Sequence, residues 1–478
     1  MRDYTTVIGL EVHVQLNTIS KAFCADPNIF GQEPNTNISA VSLALPGTLP
    51  VLNKGQVASS VKLAHALGSI INKENRFDRK NYFYPDLPKG YQITQDKLPV
   101  CVGGEMTYVS EGHEKKVRIH HVHMEEDAGK SSHDLHDQYS MVDINRAGTP
   151  LVEIVTEPDL RSAQEVHDFI AALQQLVRYL GISDGNMEEG SLRCDVNVSV
   201  MPSDTDVYGE RNEIKNVNSK KFAKTAVEYE SKRQIKILEA GGTISMNTLL
   251  FDPTKGTTAP MRSKEEANDY RYFPDPDLPP VVLPDSFIDE CIASVTLLPW
   301  TANTLLKEKY GLSDYDADLI SREKPTVEFI QQFELPTKSY STLASFIANQ
   351  IFPYINEKQI TLSNLNVMNI TNFITLIDSE KVSRSGAIKS LSSTVLKEIN
   401  ADLDIEKLAH EHNLIQSDDQ DFLDAIITEV LAQNEGKVKA YQSGKKGLLG
   451  FFMGQVMGRS KGKADPKVLN EKLGKALE

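Results

Sequence analysis

Carboxylate and imidazole side chains stand at several points of this sequence inside runs of apolar residues, where charged groups are unusual. They are Glu11, His13, Glu125, Glu126, Glu153 and Asp195, joined by the cation of Arg193. A carboxylate in an apolar setting needs a cation, a hydrogen-bond donor or a proton. One Mg²⁺ ion would satisfy several of them, since it takes oxygen ligands and usually accompanies nucleotide phosphates. These residue types indicate magnesium-assisted chemistry if their segments meet; otherwise each is an ordinary polar residue with a salt-bridge partner.

One apparent phosphate-binding motif does not hold. The segment Ala128-Gly129-Lys130-Ser131 looks like the end of a P-loop. That motif requires a second glycine five residues before Gly129, and the residue there is Met124. If the protein uses ATP, another arrangement binds it.

Two segments, residues 76–85 and 269–274, interleave cations with aromatic rings. Their candidate binding residues are Arg79, Tyr82, Tyr84, Arg271 and Tyr272. Rings can stack on unpaired bases while cations hold phosphates, as the single-stranded end of an RNA requires. The alternative is that the rings only anchor two loops.

Strands must position the charged groups named above. Residues 7–16 and 192–200 alternate strictly, with apolar side chains on one face and Glu11, His13, Arg193 and Asp195 on the other. Such alternation is typical of an antiparallel sheet with one covered and one open face. Two helices are predicted beside these strands, one after the capping box that begins at Ser162 and one from about Ser219 to Ala240.

Composition shifts divide the chain into three predicted domains. The Pro-rich run 273–280 excludes a helix or a central strand, and helical periodicity dominates after about residue 293. A second break near residues 401–405 precedes a small helical unit. The predicted class is multidomain α+β: a mainly antiparallel sheet with helices in 1–292, an all-α domain in 293–405 and a helical tail in 406–478.

The charge distribution favours one local nucleic-acid contact. The chain has a net charge of −15, which taken alone argues against such a partner, yet residues 435–478 contain ten Lys and Arg against four Asp and Glu. A basic tail on an acidic body is the asymmetry expected of a nucleic-acid contact, although a solvated basic helix end would look the same.

The four cysteines, Cys24, Cys101, Cys194 and Cys291, are far apart and have neither disulfide-framework nor zinc spacing. They favour a reducing, cytoplasmic compartment. The first residues lack a secretory signal, and no apolar run is long enough to span a membrane.

Longer stretches of the sequence carry a family resemblance. Residues 8–13, 78–85, 123–130, 143–159, 187–195, 269–280, 454–457 and 461–466 resemble signature segments of the B-subunit family of the aspartyl/glutamyl-tRNA(Asn/Gln) amidotransferases. The resemblance covers nearly the whole chain in the family's order, which is far more specific than a short motif.

The resemblance implies a cradle-shaped catalytic domain, a helical domain and a mobile tail that contacts tRNA. It implies a ligase that uses ATP and Mg²⁺ to phosphorylate the Glu or Asp carboxylate on a misacylated tRNA, after which ammonia displaces the phosphate. A separate amidase (glutaminase) subunit supplies ammonia from glutamine, and a small third subunit completes a heterotrimer. Whether Glu-tRNA(Gln), Asp-tRNA(Asn) or both are substrates stays open, because the same side chains could serve either acid.

The resemblance also assigns the Mg²⁺ ligands to Glu11, His13 and Glu126. Glu125, Glu153 and Asp195 are further candidates from the alternation pattern, and Arg193 and Lys80 are candidate anion clamps. In the tail, Lys461 and Lys463 are expected to contact tRNA.

The sequence departs from the family at a zinc site. Many members carry four N-terminal cysteines, whereas the corresponding positions here are Cys24, Asp26, Ser39 and Ser42. One cysteine cannot make a Cys₄ site, so we expect no structural zinc.

Two other function classes compete with this interpretation. A non-catalytic tRNA-binding scaffold would keep the basic tail and the aromatic loops without needing metal ligands. A metallohydrolase would use the His and Glu residues with Zn²⁺ or Mn²⁺ and act without partners.

Overall fold

The computed structural model describes residues 3–132, 136, 138–263, 270–415, 420–460 and 466–477. The chain divides into two compact units, Met1–Pro299 and Trp300–Glu478. The first unit combines sheets with helices, and the second consists mainly of helices. This confirms the predicted multidomain α+β class.

The strands of the first unit are β1 (Tyr4–Gln15), β2 (Ile70–Ile71), β3 (Glu74–Asn75), β4 (Asp78–Asn81), β5 (Tyr91–Thr94), β6 (Cys101–Val102), β7 (Glu105–Ser110), β8 (His113–Glu126), β9 (Lys130–Ser132), β10 (Met141–Asp143), β11 (Pro150–Thr156), β12 (Leu192–Pro202), β13 (Asn212–Val217), β14 (Asn247–Asp252), β15 (Thr257–Ser263), β16 (Phe273–Pro274) and β17 (Val281–Val282). Its helices are α1 (Lys54–Ala66), α2 (Ala163–Tyr179), α3 (Lys220–Glu239) and α4 (Asp285–Ala293).

A large sheet forms the frame of this unit, in the order β15-β14-β13-β12-β1-β11-β8-β6-β2, with β7 also paired to β8. Strand β1 runs antiparallel to β11 on one edge and to β12 on the other. Among the described pairs of this sheet, only β13 and β14 run parallel. The predicted antiparallel character is therefore correct at the centre of the sheet.

The two faces of the central strands differ as the alternation predicts. In β1, Leu10, Val12 and Val14 are fully or almost fully buried, whereas Glu11 and His13 are only partly covered. Helices α1, α2 and α3 contact strands of this sheet, and the apolar side chains of both form one core. The charged side chains of β1 therefore lie on the sheet face opposite the apolar core.

Local signals set the ends of the two predicted helices. The hydroxyl of Ser162 accepts a hydrogen bond from the backbone N–H of Glu165, and Ser219 does the same for Phe222. Gly181 follows α2 with a φ of 67°, a left-handed conformation in which glycine is favoured because it has no Cβ.

The Pro-rich run forms no helix. Its first residues make β16, which lies at the edge of the small sheet β16-β4-β5. An edge position tolerates proline because no ladder hydrogen bond is lost.

The helices of the second unit are α5 (Pro299–Glu308), α6 (Asp314–Ile320), α7 (Lys324–Ile330), α8 (Ser339–Phe346), α9 (Phe352–Lys358), α10 (Val367–Asp378), α11 (Arg384–Lys397), α12 (Ile405–Glu411), α13 (Gln420–Ala432), α14 (Glu435–Gln442), α15 (Leu449–Arg459) and α16 (Pro466–Leu477). Helices α13 to α16 share a core of their own, which includes Val430, Phe452 and Leu473. The predicted boundary near residue 405 stays a prediction.

Across the described part of the chain, no helix combines the length and the apolar character that crossing a bilayer would need.

Candidate active site

The open face of the large sheet brings together strands that are far apart in the sequence. Glu11 and His13 of β1 point to the same side because alternate residues of a strand do so. His13 lies opposite Glu153 of β11 and opposite Arg193 of β12. Glu11 lies opposite Asp195 of β12. The strand register thus collects these predicted residues on one surface.

His13, Glu125 and Glu153 form a group that we call the imidazole cluster. The Nε2 atom of His13 lies 3.2 Å from a carboxylate oxygen of Glu153 and 3.4 Å from one of Glu125. His123 of β8 approaches the same carboxylates, at 3.2 Å from Glu153 and 3.6 Å from Glu125. One ligand atom from each of the three cluster residues lies within 4.8 Å of the others. A single cation could contact all three.

Positive charge compensates the carboxylates of this cluster. Burial lowers the pKa of His13, but Glu153 and Glu125 outweigh it and raise that pKa to about 9. Burial also lowers the pKa of His123, but Glu153 and Glu125 outweigh it and raise that pKa to about 10. Burial raises the pKa of Glu153, but His13 and His123 bring it well below its usual value. Both imidazoles are therefore protonated near neutral pH.

Glu11, Asp195 and Glu213 form a second group, the carboxylate cluster, in which one oxygen from each lies within 4.8 Å of the others. The ammonium group of Lys215 lies 2.6 Å from Asp195 and 2.8 Å from Glu213. Burial raises the pKa of Glu11, and Glu153 and Glu213 raise it further. Three carboxylates therefore lie beside the single ammonium group of Lys215.

Asn197 of β12 adds a hydrogen bond to the carboxylate cluster. Its Nδ2 donates to Glu11 at 3.0 Å. The Asn197 side chain is thereby fixed at one side of Glu11.

Glu126, the third predicted magnesium ligand, belongs to neither cluster of the described residues. Its carboxylate forms an ion pair with Lys89 and accepts a hydrogen bond from the backbone N–H of Ile93 at 2.9 Å. Glu125 and Glu126 are neighbours in β8, so their side chains point to opposite faces of the strand. The predicted set of Glu11, His13 and Glu126 is therefore not the grouping that the structure forms, and Glu125 occupies the position beside His13.

Arg193 is held in place by a buried carboxylate. Its Nη2 donates to Asp127 at 2.7 Å, and Gln15 donates to the same oxygen at 2.9 Å. Burial raises the pKa of Asp127, but Arg193 and Arg146 bring it below its ordinary value. Among the described residues, the buried Nε–H of Arg193 has no hydrogen-bond partner.

Lys80 of β4 interacts electrostatically with the carboxylates of the imidazole cluster. Its ammonium group lies 4.9 Å from the centre of the Tyr270 ring. Burial lowers the pKa of Lys80, but Tyr272, Glu125 and Glu153 raise it above its usual value. A cation in this position suits the predicted role of anion clamp.

Four tyrosine rings lie in sequence beside Lys80. Tyr82 contacts Tyr84 at 6.2 Å and Tyr270 at 6.1 Å between ring centres, and Tyr270 contacts Tyr272 at 6.2 Å. The segments 76–85 and 270–274 therefore meet, and we call the joined surface the aromatic loops. Tyr84 is 62% exposed and Tyr272 42%, which leaves ring surface open for a base.

The other predicted tRNA contacts have different surroundings. Arg79 forms ion pairs with Asp275 and Asp277, so its guanidinium is already engaged within the protein. Arg271 is exposed and has a φ of 42°. Lys461 and Lys463 lie outside the described residues.

Three imidazoles connect the imidazole cluster to the surface. His120 is exposed and lies 2.7 Å from His121 between Nδ1 atoms, and His121 Nε2 lies 3.1 Å from His123 Nδ1. Burial, together with His123 and His120, lowers the pKa of His121 to about 4. A neutral imidazole therefore separates the protonated His123 from solvent.

Sequence reasoning missed several residues of the site, including Lys89, Glu213 and Lys215. In β13, Glu213 and Lys215 alternate with the buried Asn212 and Ile214. This pattern was available in the sequence, but the strand is short and its polar side carries both charge signs. Lys89 lies in a loop before β5, where no periodicity marks it.

The segment at the missing cysteine positions is organised by hydrogen bonds. Asp26 accepts hydrogen bonds from the Ser42 hydroxyl and, at 2.9 Å, from the backbone N–H of Ser39. The sulfur of Cys24 lies 3.5 Å from the Ser42 hydroxyl. The four positions that the family resemblance assigned to a zinc site in other members therefore lie together here, joined by a carboxylate and two serines.

Comparison with known proteins gives consistent results along the chain. Residues 6–289 match the family model described as the GatB/GatE catalytic domain, and residues 329–477 match the GatB domain. The chain is 46% identical over 481 residues to the aspartyl/glutamyl-tRNA(Asn/Gln) amidotransferase B-subunit of Geotalea uraniireducens (strain Rf4), covering 99% of each chain. It is 43% identical over 477 residues to the B-subunit of Myxococcus xanthus (strain DK1622), again covering 99% of each.

Proposed function

The chain belongs to the B-subunit family of the aspartyl/glutamyl-tRNA(Asn/Gln) amidotransferases, and from that premise we propose that it is the tRNA-binding, ATP-using subunit of such a ligase. The enzyme converts Glu-tRNA(Gln), Asp-tRNA(Asn) or both into the corresponding amides. The observation that carries this proposal is the pair of clusters on one sheet face, beside two cationic side chains and the aromatic loops.

The clusters suit divalent cations. Each offers three ligand atoms within 4.8 Å of one another, and carboxylate oxygens are what Mg²⁺ prefers. After burial, repulsion from Glu153 and Glu213 contributes to the raised pKa of Glu11, and a cation would relieve that repulsion. We assign one candidate site to His13, Glu125 and Glu153, and another to Glu11, Asp195 and Glu213. When bound there, Mg²⁺ would neutralise charge on phosphate oxygens.

The reaction begins with activation of a poor electrophile. An oxygen of the substrate's side-chain carboxylate attacks the γ-phosphorus of ATP, and the bond to ADP breaks. The nitrogen of ammonia then attacks the acyl carbon, phosphate leaves, and the nitrogen gives up a proton to yield the amide. Both reactants of the first step are anions, so catalysis depends on groups that relieve their repulsion.

Lys80 and Arg193 are placed to relieve that repulsion. Glu125 and Glu153 raise the pKa of Lys80, and the Nε–H of Arg193 has no hydrogen-bond partner within the described part of the chain. Each can donate to an oxygen of the carboxylate or the phosphate. Because Asp127 fixes the guanidinium before substrate arrives, less rotamer entropy is lost on binding.

The tRNA binds across the aromatic loops. Tyr82, Tyr84, Tyr272 and Arg271 present rings and a cation beside the imidazole cluster, which is where the aminoacyl end must come. The tail, residues 406–478, adds basic side chains for the tRNA body; Lys461 and Lys463 belong to this expectation.

Partners complete the activity. Ammonia comes from glutamine through an amidase (glutaminase) subunit, and a small third subunit joins the two in a cytoplasmic heterotrimer. This division agrees with the names of the relatives, which describe each of them as one subunit of the amidotransferase.

Co-purification of the chain with the amidase and small subunits, followed by amidation assays on Glu-tRNA and Asp-tRNA separately, tests the function. We expect ATP-dependent amide formation on at least one substrate. Glu11→Gln should abolish ATP hydrolysis that depends on misacylated tRNA while tRNA binding persists. Glu114→Gln, at an exposed position of β8, is the matched control. A complex that binds tRNA but never consumes ATP would support the non-catalytic scaffold instead. Activity of the isolated chain with Zn²⁺ would support the metallohydrolase.

A further inference from the structure

The last residues of β8 carry Glu125 and Glu126, and a strand covers only one side of them. Strand β11 pairs with β8 along this stretch, where Leu151 lies opposite Glu125. On the other side, the pairing with β6 reaches only as far as Val122. Among the described strands, none takes its place beside residues 123–126. Buried backbone N–H and C=O groups on that side need other partners.

Three buried glutamines supply hydrogen bonds to this stretch of main chain, and we call Gln56, Gln92 and Gln95 the glutamine brace. The Oε1 atom of Gln95 accepts a hydrogen bond from the backbone N–H of Met124 at 3.0 Å. The Nε2 atom of Gln92 donates to the carbonyl oxygen of Glu126 at 2.7 Å. On this side, glutamine side chains take the place of a neighbouring strand.

Gln56 of α1 ties together the two strands that carry the imidazole cluster's carboxylates. Its Nε2 atom donates to the carbonyl oxygen of Glu125 at 2.8 Å and to that of Leu151 at 3.1 Å. The next pair of side chains on the same face is His123 and Glu153, which lie opposite each other in β8 and β11. One amide group therefore fixes both strands directly beside the cluster.

The other end of the Gln56 amide is left unsatisfied. Gln56 is fully buried, and its Oε1 atom has no hydrogen-bond partner within the described part of the chain. A buried acceptor without a partner lowers stability, and such exceptions to good packing are expected chiefly at functional sites. The two donated hydrogen bonds are thus the reason to keep an amide at this position.

We propose that the glutamine brace positions Glu125 for the imidazole cluster. The inference rests on the proposed function and deepens it, because it names residues outside the cluster that set its geometry. The direction of a strand side chain follows from its main chain, so a shift at Met124 or Glu125 would move the Glu125 carboxylate relative to His13. The Thr94 hydroxyl holds that carboxylate at 3.3 Å, whereas the brace holds the main chain that carries it.

The alternative is that the brace only stabilises the fold, and Gln234 of α3 offers a matched comparison. This glutamine is also fully buried, and its Oε1 atom also lacks a partner among the described residues. Its Nε2 atom likewise donates twice, to the carbonyl oxygen of Val198 in β12 at 3.2 Å and to Glu230 at 2.8 Å. Val198 lies opposite Ile8 of β1, away from His13. The same substitution at Gln234 therefore disturbs a similar bond without reaching the imidazole cluster.

Calorimetric titration of the heterotrimer with Mn²⁺ tests the inference, with Glu11→Gln present throughout to remove binding at the carboxylate cluster. Gln56→Met should lower the Mn²⁺ affinity about tenfold, as is typical when a group that holds a metal ligand is lost. Gln95→Met should act in the same direction, and it carries the same prediction if Gln56→Met fails to assemble. Gln234→Met should lower the unfolding temperature to a similar extent and leave the Mn²⁺ affinity unchanged.

A double-mutant cycle separates positioning of Glu125 from a general loosening of the sheet. If the brace acts through this carboxylate, Gln56→Met should change the Mn²⁺ affinity by less than about twofold once Glu125→Gln is present. A tenfold loss in both backgrounds would overturn the inference, as would an equal loss of affinity from Gln234→Met. The titration contains neither ATP nor tRNA. A wild-type complex that never consumes ATP would therefore overturn the proposed function and leave this result unaffected.

Discussion

The imidazole and carboxylate clusters share a sheet face and a strand, yet they balance charge in opposite ways. In the imidazole cluster, Glu153 contacts His13 and also the neighbouring His123, and these two imidazoles bring its pKa well below the usual value. In the carboxylate cluster, Glu11 has a raised pKa because burial and neighbouring carboxylates act together. The first is compensated by protons and the second is left short of positive charge. Equal ligand counts therefore do not imply equal binding behaviour.

Glu153→Gln should break the imidazole cluster and produce the largest effect. It removes the nearer of the two carboxylates that both imidazoles approach. The largest contribution that raises the pKa of His13 is then lost, so that pKa falls. We expect amidation by the heterotrimer to drop by about 10²-fold or more, as for loss of a preorganised charge. Single-turnover rates measure this, and NMR titration of the imidazoles checks the cause. Activity within about twofold of wild type would contradict the role of this cluster.

The pH dependence of cation binding should separate the clusters next. With a His13 pKa of about 9, a cation must displace a proton below that pH. Affinity at the imidazole cluster should therefore rise about tenfold per pH unit between pH 7 and 9. The carboxylate cluster contains no imidazole, so cation affinity there should change less with pH over this range.

Calorimetry with Mn²⁺ in buffers of different ionisation enthalpy counts the protons released. Glu11→Gln isolates the imidazole cluster, and His13→Asn isolates the carboxylate cluster. Equal proton release from both variants would remove the distinction between the clusters.

Asp127→Asn should weaken the hold on Arg193, the candidate anion clamp that Asp127 orients. The amide keeps the shape of Asp127 but loses the charge that orients Arg193. We expect a loss of about tenfold in kcat/KM for misacylated tRNA, corresponding to one charge-assisted hydrogen bond. Asp289→Asn, an exposed carboxylate of α4, is the control. An unchanged kcat/KM would mean that Arg193 needs no such support.

Lys215→Met should have the smallest effect of these variants. It removes the ammonium group that lies beside the carboxylate cluster. Without the ammonium group, Asp195 and Glu213 lose their cation, and unfolding free energy should fall by about 1–2 kcal/mol. Added Mg²⁺ should restore more stability to this variant than to wild type. Thermal unfolding with and without Mg²⁺ measures both. A stability gain from Mg²⁺ equal to that of wild type would place the ion elsewhere.

The sequence predicted which side of a strand each residue occupies better than it predicted which strands pair with one another. Alternation alone placed Glu11, His13, Arg193 and Asp195 on one side, because the period of a strand is local. That Glu153 meets His13 depends on a pairing between segments about 140 residues apart, which no local pattern encodes. The sequence therefore predicted some of the site residues but not which of them contact one another.

The assignment of Glu126 as a magnesium ligand stays a prediction, and the period of β8 adds Glu125 as a second candidate. His123 and Glu125 share the parity that places them on one face of β8, and Glu126 does not. The period of the strand favours Glu125 as the neighbour of His13, and the distances agree. Lys89 remained hidden for a different reason, since a loop residue has no periodicity to reveal it.

Strand β1 is paired with β12 along Tyr4–Val14 and with β11 along Glu11–Gln15, so the number of residues in this strand is as constrained as its composition. Removing or adding a single residue within Tyr4–Gln15 would rotate everything beyond that point by half a turn. Glu11 and His13 would then be forced toward the helices, and Leu10 or Val12 toward solvent. In a library of random variants selected for activity, single-residue deletions in β1 should be eliminated even at positions where most substitutions are tolerated.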